Sequence, residues 1–261
     1  MTETTGWDGS LTDSSHRRAI ERVILSMHDS LETGMSLDDM SREAFISPFH
    51  FNRIFRKMVG IPPGHFLGAL RIQAAKRLLA STEERIIDVC LDVGFTSPGT
   101  FSRRFKDLVG LAPLQFRRLA VCVEEMAPQP SPRPRLPAPP VESPISGEIG
   151  APEGFCGPIF IGLFETPLPH SRPVGCCYLE TAGRFHIPIV ADGDYYLLAL
   201  GFPAGLPPSA YLLGETALRA GSTSQPISIR GGRPTEPLDL NLRSAQLTDP
   251  PVLVAIPWLL G

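Results

Sequence analysis

The chain has 261 residues, enough for two domains of ordinary size, and 43% of them are hydrophobic, as in most globular proteins. No run of apolar residues reaches the roughly 18–20 that a membrane-spanning helix needs, so we expect no membrane partner. The five cysteines lack CxxC spacing, which is typical of a reduced, cytoplasmic protein. The polar start of the chain does not have the pattern of a secretory signal.

The formal net charge of −3 hides an uneven distribution. Residues 42–118 contain 13 Lys and Arg against 6 Asp and Glu, a local net charge of +7. Residues 127–261 contain 8 against 11, a local net charge of −3. A basic part joined to an acidic part indicates that only the first contacts a polyanion such as nucleic acid.

Composition also divides the chain into four segments. We expect residues 1–14 to form a disordered tail and residues 15–126 to form an all-α domain. Residues 127–146 contain eight prolines and almost no large apolar side chains, which predicts an extended linker and loose coupling between the flanking domains. Residues 147–261 alternate short β-type runs with Gly and Pro turns, which predicts an all-β, sandwich-like domain. The predicted fold class is therefore multidomain.

Helix start and stop signals follow one another through the all-α segment. Ser36 and Asp39 form a capping pattern at the start of one helix, and Pro48 suits the first turn of the next. Ser81 and Thr82 are expected to cap the start of a later helix. Apolar residues at a spacing of three to four predict an amphipathic first helix, and they are Ile20, Val23, Ile24, Met27 and Leu31.

The segments 47–59 and 97–109 repeat one pattern at a distance of 50 residues. Each begins with Ser-Pro and has Phe at its fifth position and Arg at its seventh. A short basic helix preceded by another short helix is typical of a helix-turn-helix, and two copies suit two neighbouring major grooves of DNA. The helix between them, at about 16–18 residues and roughly 25 Å, would hold the two readers about one DNA turn apart.

Polar and basic positions on the outer faces of the two repeated helices predict the DNA contacts. They are Ser47, Phe49, His50, Asn52, Arg53, Arg56 and Lys57 in the first copy and Ser97, Thr100, Ser102, Arg103 and Arg104 in the second. Arg53 suits a bidentate contact with guanine, and Asn52 suits a pair with adenine. The second copy has Pro98 and Gly99, which lack side-chain donors, so we expect it to depend on phosphate contacts and DNA shape.

Residues 16–120 resemble the DNA-binding domain of the AraC/XylS family of transcription regulators. The resemblance is carried by FNRIFRK at 51–57, AKRLL at 75–79 and FSRRFK at 101–106, together with Gly60 and Gly110. It implies seven helices, of which the third and sixth read double-stranded DNA, and base contacts from Phe49, Asn52 and Arg53. We further expect a bacterial-type activator that acts with RNA polymerase and needs no cofactor.

Two residues of the central helix are assigned separately. Arg71 is expected to be a structural ion-pair partner. For Lys76, a structural role and a phosphate contact remain open.

The C-terminal part is expected to contain strands at 159–164, 176–181, 185–190, 195–202, 210–213, 227–230 and 238–243. Its strand and turn pattern resembles that of carboxypeptidase regulatory-like sandwiches, which implies a fold but no ligand. A small-molecule effector is one expected partner, and the aromatic residues that could line its pocket or fill the core are Tyr178, Phe185, Tyr195, Tyr196 and Tyr211. The alternative is a protein-interaction or homodimerisation module that pairs through a sheet edge.

Enzymatic and metal-binding readings are weaker. Asp192 and Asp194 lie in Ala-Asp-Gly-Asp-Tyr, which is typical of a hairpin turn. Cys176 and Cys177 are adjacent, so in a strand they point to opposite faces and are poorly placed to hold one ion. A methyl-transfer repair function would need a reactive thiol, for which Cys122 near Arg117 is a poor candidate because acids follow it. We predict no catalytic and no metal-binding residues.

Overall fold

The computed structural model describes residues 9–125, 145–188, 190–221 and 225–255. The N-terminal region contains the helices α1 Gly9–Asp29, α2 Leu37–Ala44, α3 Pro48–Val59, α4 Pro63–Ser81, α5 Ile86–Asp92, α6 Pro98–Val109 and α7 Pro113–Glu125. The C-terminal region begins with the strands β1 Ile145–Gly150, β2 Ile159–Phe164, β3 Gly175–Leu179, β4 Gly183–Ile187 and β5 Gly193–Gly201. It continues with α8 Pro208–Leu213, β6 Leu218–Gly221, β7 Ile227–Arg230, β8 Arg233–Pro234 and β9 Leu238–Asn241.

Local sequence signals set several of the helix ends. Ser36 and Asp39 form a capping box at the start of α2, as the capping pattern predicts. Both reader helices, α3 and α6, end at a glycine with left-handed backbone: Gly60 has a φ of 90° and Gly110 a φ of 89°. Glycine adopts this conformation without the steric cost that a Cβ atom brings. The repeated sequence therefore gives two helices of the same length, 12 residues each.

The repeat extends into the packing of the aromatic core. In the first copy the ring of Phe55 lies 5.6 Å from the rings of Phe51 and Phe66. In the second copy the ring of Phe105 lies 5.7 Å from that of Phe101 and 5.6 Å from that of Phe116. Tilted and edge-to-face pairs at this separation add to the stabilisation from burial alone. Each helix-turn-helix is thus anchored by an equivalent three-ring cluster, which fixes the direction of its reader helix.

The central helix α4 connects the two copies. Its 19 residues span about 28 Å at 1.5 Å per residue. Nine of them are buried, and they are Pro63, Phe66, Leu67, Ala69, Leu70, Ile72, Ala75, Lys76 and Leu79. A helix that is buried on several sides packs against more than one neighbour. Here it contacts the N-terminal helices as well as α7 and α8.

The strands form two sheets. The smaller has the order β4-β1-β9, and the larger has the order β3-β2-β5-β7-β8, with β6 also pairing with β5. One hydrophobic cluster contains residues of both sheets, including Ile149 and Phe185 from the smaller and Ile161 and Leu197 from the larger. Burial alternates along β5, whereas all six residues of β2 are buried. The larger sheet is therefore covered on both faces at β2.

The structure corrects several boundaries. Helix α1 begins at Gly9, inside the predicted tail 1–14, and β1 begins at Ile145, inside the predicted linker. Residues 1–8 and 126–144 lie outside the described residues, so the predictions of a tail and a linker stay untested there. Thr82 does not cap the start of α5; its hydroxyl instead donates to the carbonyl of Leu78 at the end of α4, and Arg85 is the N-cap of α5.

The prediction of an all-β C-terminal region is wrong at residues 210–213, which belong to helix α8. Pro207 precedes this helix, and Gly214, with a φ of 68°, ends it. Proline at the start of a helix and glycine after its end are common helix start and stop signals, and here they outweigh the β propensity of the residues between them. The strands predicted from the sequence also lacked β1, β6 and β8, which are six, four and two residues long.

The prediction of loose coupling between the helical and β regions is also wrong. The hydrophobic cluster of the helical region contains Leu168, Leu212, Leu253 and Ala255 from the C-terminal region. Leu212, Leu253 and Ala255 are completely buried there. Apolar side chains that complete the core of a neighbouring region fix its position far more strongly than the connecting chain does. In the part of the chain that the structure describes, no helix is long and apolar enough to cross a membrane.

Candidate DNA interface

The outer face of α3 carries the predicted contacts of the first copy. Ser47 is the N-cap residue, but its side chain makes no capping hydrogen bond. Phe49 is 83% exposed, which is unusual for a large apolar side chain. The remaining exposed residues of this face are Asn52, Arg53, Arg56 and Lys57. The structure thus presents one aromatic, one amide and three cationic side chains on a single helical face.

His50 is the one predicted contact of α3 that is half-buried. Its ring lies 5.7 Å from the ring of His16 on α1. Nδ1 of His50 is 3.4 Å from Nη2 of Arg53, a long contact for a hydrogen bond. His50 therefore orients Arg53 only weakly, and the guanidinium keeps its donors for another partner.

The second predicted reader helix, α6, has fewer side chains that could donate hydrogen bonds to bases. Thr100, Arg103 and Arg104 are exposed, while Ser102 is half-buried. The hydroxyl of Ser97 accepts a hydrogen bond from the backbone N–H of Thr100, so it caps the helix. Pro98 and Gly99 occupy the first turn. The N-terminal part of a reader helix is the part that meets base edges, and here it has few side-chain donors.

The basic side chains of α6 have weak internal partners. Arg103 lies 3.9 Å from Asp107 in an exposed i,i+4 pair, which contributes little to stability. A Cβ atom added at Gly68 of α4 would lie 3.0 Å from Nη2 of Arg104, so this guanidinium rests against the central helix where no side chain intervenes. Both arginines remain exposed, so their guanidinium groups can donate hydrogen bonds to an anionic partner.

Arg71 and Lys76 on α4 serve the protein's own structure. Nε of Arg71 donates to the carbonyl of Leu31 at 3.0 Å, and its guanidinium lies 6.0 Å from the ring of Phe95. The structural role predicted for Arg71 is thus seen, although its polar partner is a backbone carbonyl. Lys76 is completely buried, which excludes a phosphate contact in this conformation. Burial lowers the pKa of Lys76 to about 7.

The C-terminal region reaches both reader helices. A groove beside α3 is lined by Phe49, Asn52, Arg53, Arg56, Lys57 and Gly60 on one side and by Tyr196 and Gln225 of the C-terminal region on the other. The predicted base-reading residues of α3 therefore face a space that the β region partly encloses. Sequence reasoning missed this relationship, because no local pattern places Tyr196 opposite a helix 140 residues earlier.

Backbone and side-chain donors of the C-terminal region also satisfy the end of α6. The Ser171 N–H donates to the carbonyl of Leu108 at 2.7 Å, and the Ser171 hydroxyl donates to that of Asp107. The Ala255 N–H lies 3.4 Å from the carbonyl of Val109. The last carbonyls of a helix have no partner within it, so external donors stabilise its end. The second reader helix is thus held directly by the β region.

The aromatic residues predicted to line an effector pocket are distributed differently. Phe185 and Tyr195 belong to the core between the sheets, whereas Tyr178 and Tyr211 pack with Phe160 and Phe202. Tyr196 lines the groove beside α3. The five side chains therefore do not form one pocket, and the reading that strand aromatics fill the core holds for most of them.

Other candidate residues have structural roles. Asp192 accepts hydrogen bonds from the N–H groups of Gly231 and Gly232 at 2.8 and 3.0 Å, and these bonds lower its pKa. Asp194 accepts from Ser228 and Arg230. Burial raises the pKa of Cys177 to about 12, so its thiol is inert. Among the described residues, no group of three or more His, Cys, Asp or Glu side chains is placed to hold a metal ion.

Comparison with known proteins agrees with this geometry. Residues 40–119 match the family described as a helix-turn-helix domain, of the AraC type. The chain is similar to the HTH-type transcriptional activator AarP of Providencia stuartii, with 33% identity over 98 residues, which are 38% of this chain and 73% of AarP. It is also similar to the TetD protein of transposon Tn10 from Escherichia coli, with 30% identity over 103 residues, 40% of this chain and 75% of TetD.

Two solved structures share this similarity. One is an AraC-type transcriptional regulator from Chromobacterium violaceum, with 24% identity and a TM-score of 0.39, covering 40% of this chain and 93% of that one. The other is the DNA-binding domain of AdpA in complex with a target DNA, with 24% identity and a TM-score of 0.38, covering 42% of this chain and 97% of that one.

The two equivalent helix-turn-helix units and the match to AarP define a DNA-binding transcription regulator. The chain belongs to the AraC family of helix-turn-helix transcription regulators.

Proposed function

We propose that α3 and α6 enter two successive major grooves and that α3 supplies most of the direct base readout. The support is the exposed set on α3, where Asn52 and Arg53 have the donors that pair with adenine and guanine. Phe49, which is exposed, would make apolar contact with a thymine methyl group. His50, Arg56, Lys57 and the N-cap Ser47 flank these residues and would contact the backbone.

In this proposal α6 is the anchoring helix. Ser102, Arg103 and Arg104 would contact phosphates, and Ser97 and Thr100 would place the helix N-terminus against the backbone, where its partial positive charge attracts anions. Pro98 and Gly99 leave no long side chain to reach a base edge. Specificity at the second groove would then come from DNA shape and deformability.

The regulator is proposed to act as an activator that contacts RNA polymerase. AarP, the relative with 33% identity over 98 residues, is described as a transcriptional activator, and this description supports the activator part of the proposal.

The C-terminal region is proposed to be an effector-sensing regulator of the DNA-binding part, with its two sheets packed as a sandwich. Two observations support this role. Tyr196 and Gln225 form one side of the groove along the exposed face of α3, and Ser171 holds the end of α6. DNA that docks on this face of α3 would meet Tyr196 and Gln225 beside it, so full docking in the major groove would need the β region to move. The single observation that carries the proposal is the position of Tyr196 and Gln225 beside the exposed face of α3.

If the β region hinders DNA binding by α3, its removal should raise the affinity for DNA. We call this hindrance masking, and a comparison of the full chain with a chain that stops after residue 125 tests it. Both are offered a duplex recovered from a random-sequence pool by selection, and circular dichroism verifies that the shorter chain is helical. We expect the shorter chain to bind at least about tenfold more tightly, which corresponds to roughly 1.4 kcal/mol of masking. Equal affinities at equal site size would reject the masking role.

The alternative is an assembly module. In the smaller sheet β4 and β9 each have one partner strand among the described residues, and unpaired strand edges are sites for association. Sedimentation of the full chain over a range of concentrations distinguishes the two roles. A mass that doubles with concentration while the DNA affinity is unaffected by removal of the β region favours assembly.

A further inference from the structure

A cavity of about 80 Å³ lies on the face of the larger sheet that points away from the smaller one. Its floor is formed by Phe160 and Phe164 of β2 and by Leu198 and Leu200 of β5. A side chain at Gly162 would intrude here, since its Cβ would lie 3.0 Å from Phe164 and 3.2 Å from Pro173. One water needs roughly 10–15 Å³ of such space, so the cavity has room for several non-hydrogen atoms.

One wall of this apolar cavity is cationic. Arg219 of β6 and Arg243 line it together with Asp249. Arg243 and Asp249 form a two-bond pair at 2.8 and 2.7 Å, so each neutralises the other. Arg219 is half-buried, and its Nη1 donates to the carbonyl of Pro250 at 2.6 Å. Its Nε is buried and has no hydrogen-bond partner.

An unpartnered guanidinium nitrogen inside a protein is costly unless a partner arrives. The other charges near Arg219 do not supply one. Glu215 is the ion-pair partner of Arg77 at 3.1 Å, and Asp249 is held by Arg243. The lining of the cavity thus has two cations and one anion, an excess of one positive charge in an apolar setting. The Nε edge of a guanidinium matches a carboxylate in geometry as well as charge.

We propose that this cavity binds a small amphipathic carboxylate, with its carboxylate on Arg219 and its apolar chain between the β2–β5 floor and residues 252–254. The proposal rests on the sensing role proposed above and names its ligand class. It goes beyond the aromatic residues considered from the sequence, which do not line this cavity.

The position of the cavity connects a bound ligand to the DNA-binding helices through residues 252–255. In residues 252–255 the side chains alternate: Val252 and Val254 line the cavity, whereas Leu253 and Ala255 are inserted into the helical core. The carbonyl of Val252 accepts the hydrogen bond from Lys76, and Ala255 reaches the end of α6. A ligand that displaces Val252 and Val254 therefore acts directly on the contact that holds the two regions together.

The experiment is isothermal titration of the full-length protein with hexanoate, using hexan-1-ol as the neutral probe of similar length. We expect hexanoate to bind at least about tenfold more tightly than hexan-1-ol, because a charged hydrogen bond to Arg219 contributes more than a neutral one. Arg219→Met should remove this preference. Arg230→Met, which removes an exposed arginine of the same region, should leave it unchanged.

A second variant tests the cavity independently, in case Arg219→Met does not fold. Leu198→Phe narrows the cavity but retains Arg219, and it should weaken hexanoate and hexan-1-ol alike. Equal binding of the two probes by the native protein, or hexanoate binding that survives both Arg219→Met and Leu198→Phe, would overturn the proposal.

DNA affinity, measured on the same samples with the selected duplex, distinguishes a failure of the carboxylate site from a failure of the sensing role. A protein that binds the duplex but neither probe overturns the carboxylate site and leaves the DNA-binding role intact. Hexanoate binding that depends on Arg219 and changes the DNA affinity supports both the site and its sensing role. Hexanoate binding that depends on Arg219 and leaves the DNA affinity unchanged supports the site and rejects the sensing role.

Discussion

Nζ of Lys76 donates a 3.1 Å hydrogen bond to the carbonyl of Val252, across 176 residues of sequence. Lys76 lies on α4, the helix between α3 and α6, and Val252 lies in the segment that lines the cavity of the β region. The ammonium group also lies 5.8 Å from the ring of Phe116, the aromatic anchor of the second copy. A single buried cation therefore connects the cavity segment, the central helix and the second helix-turn-helix.

Lys76→Met should remove a pH-dependent part of the stability. Burial lowers the pKa of Lys76 from 10.5 to about 7, and the charge of Glu215 acts in the opposite direction. Between these values the unfolded chain binds a proton that the folded chain releases, so the free energy of unfolding rises with pH from about 7 towards 10.5. The slope is at most about 1.4 kcal/mol per pH unit. This contribution is therefore lost progressively as the pH falls from 10.5 to about 7, and below about 7 the folded and unfolded chains both bind the proton.

Urea unfolding at several pH values measures the effect. The native protein should gain stability from about pH 7 to about pH 9 relative to Lys76→Met, whose side chain has similar length and no charge. Lys57→Met, at an exposed lysine of α3, serves as the matched control and should follow the native protein. Parallel pH profiles for the native protein and Lys76→Met would contradict the buried, titrating ammonium.

Arg53→Ala should weaken binding to the selected duplex by roughly 1–3 kcal/mol and relax the base preference at one position. The reason is that Arg53 is exposed on the reader face and has only a long contact with His50 to satisfy it. Affinities for a panel of single-base variants measure both effects. Arg118→Ala, at an exposed arginine of α7, is the control. An unchanged preference at every position would show that Arg53 does not read a base.

Arg104→Ala should weaken binding to all duplexes alike and lower the slope of log affinity against log salt by about 1. Arg104 lies on α6, whose first turn holds Pro98 and Gly99 and has few donors for base edges. Fluorescence anisotropy over a range of salt concentrations supplies the slope. A loss confined to one sequence would place Arg104 among the base-reading residues and remove the asymmetry proposed between the two copies.

Gly60→Ala and Gly110→Ala should each destabilise the protein by roughly 1–2 kcal/mol, because a Cβ atom is strained at a positive φ. The two backbone angles, 90° and 89°, predict similar losses for the two copies. Gly64→Ala is the matched control, since no atom lies within 4 Å of the added Cβ, and it should stabilise α4 by up to about 1 kcal/mol. Thermal unfolding of the three variants gives the comparison, and equal midpoints would refute the strain.

Most of the helical region was predictable from local sequence. The repeated Ser-Pro start, the Phe pair and the final glycine set the length and buried face of α3 and α6 because each signal acts within one or two helical turns. The exposed positions of Asn52 and Arg53 followed from the same periodicity. The strand at β2 was predicted with its observed bounds, since a continuous apolar run between turn signals is a local signal too.

The failures concern contacts between distant segments. The proline content of residues 127–146 predicted loose coupling, yet Leu253 and Ala255 complete the helical core more than 100 residues further on. Arg219 has no local feature that distinguishes it from the other arginines of the β region. Its unpartnered Nε became visible only when β6 was placed beside the cavity.

The sequence by itself determined the helix-turn-helix repeat, its membership of the AraC family and the side chains available to DNA, because these depend on hydrophobic periodicity and residue type. The tertiary structure alone decided that Lys76 is buried and that the β region lies beside the exposed face of α3 and holds the end of α6. Burial and partner choice depend on which apolar faces meet in three dimensions. No local pattern encodes that choice.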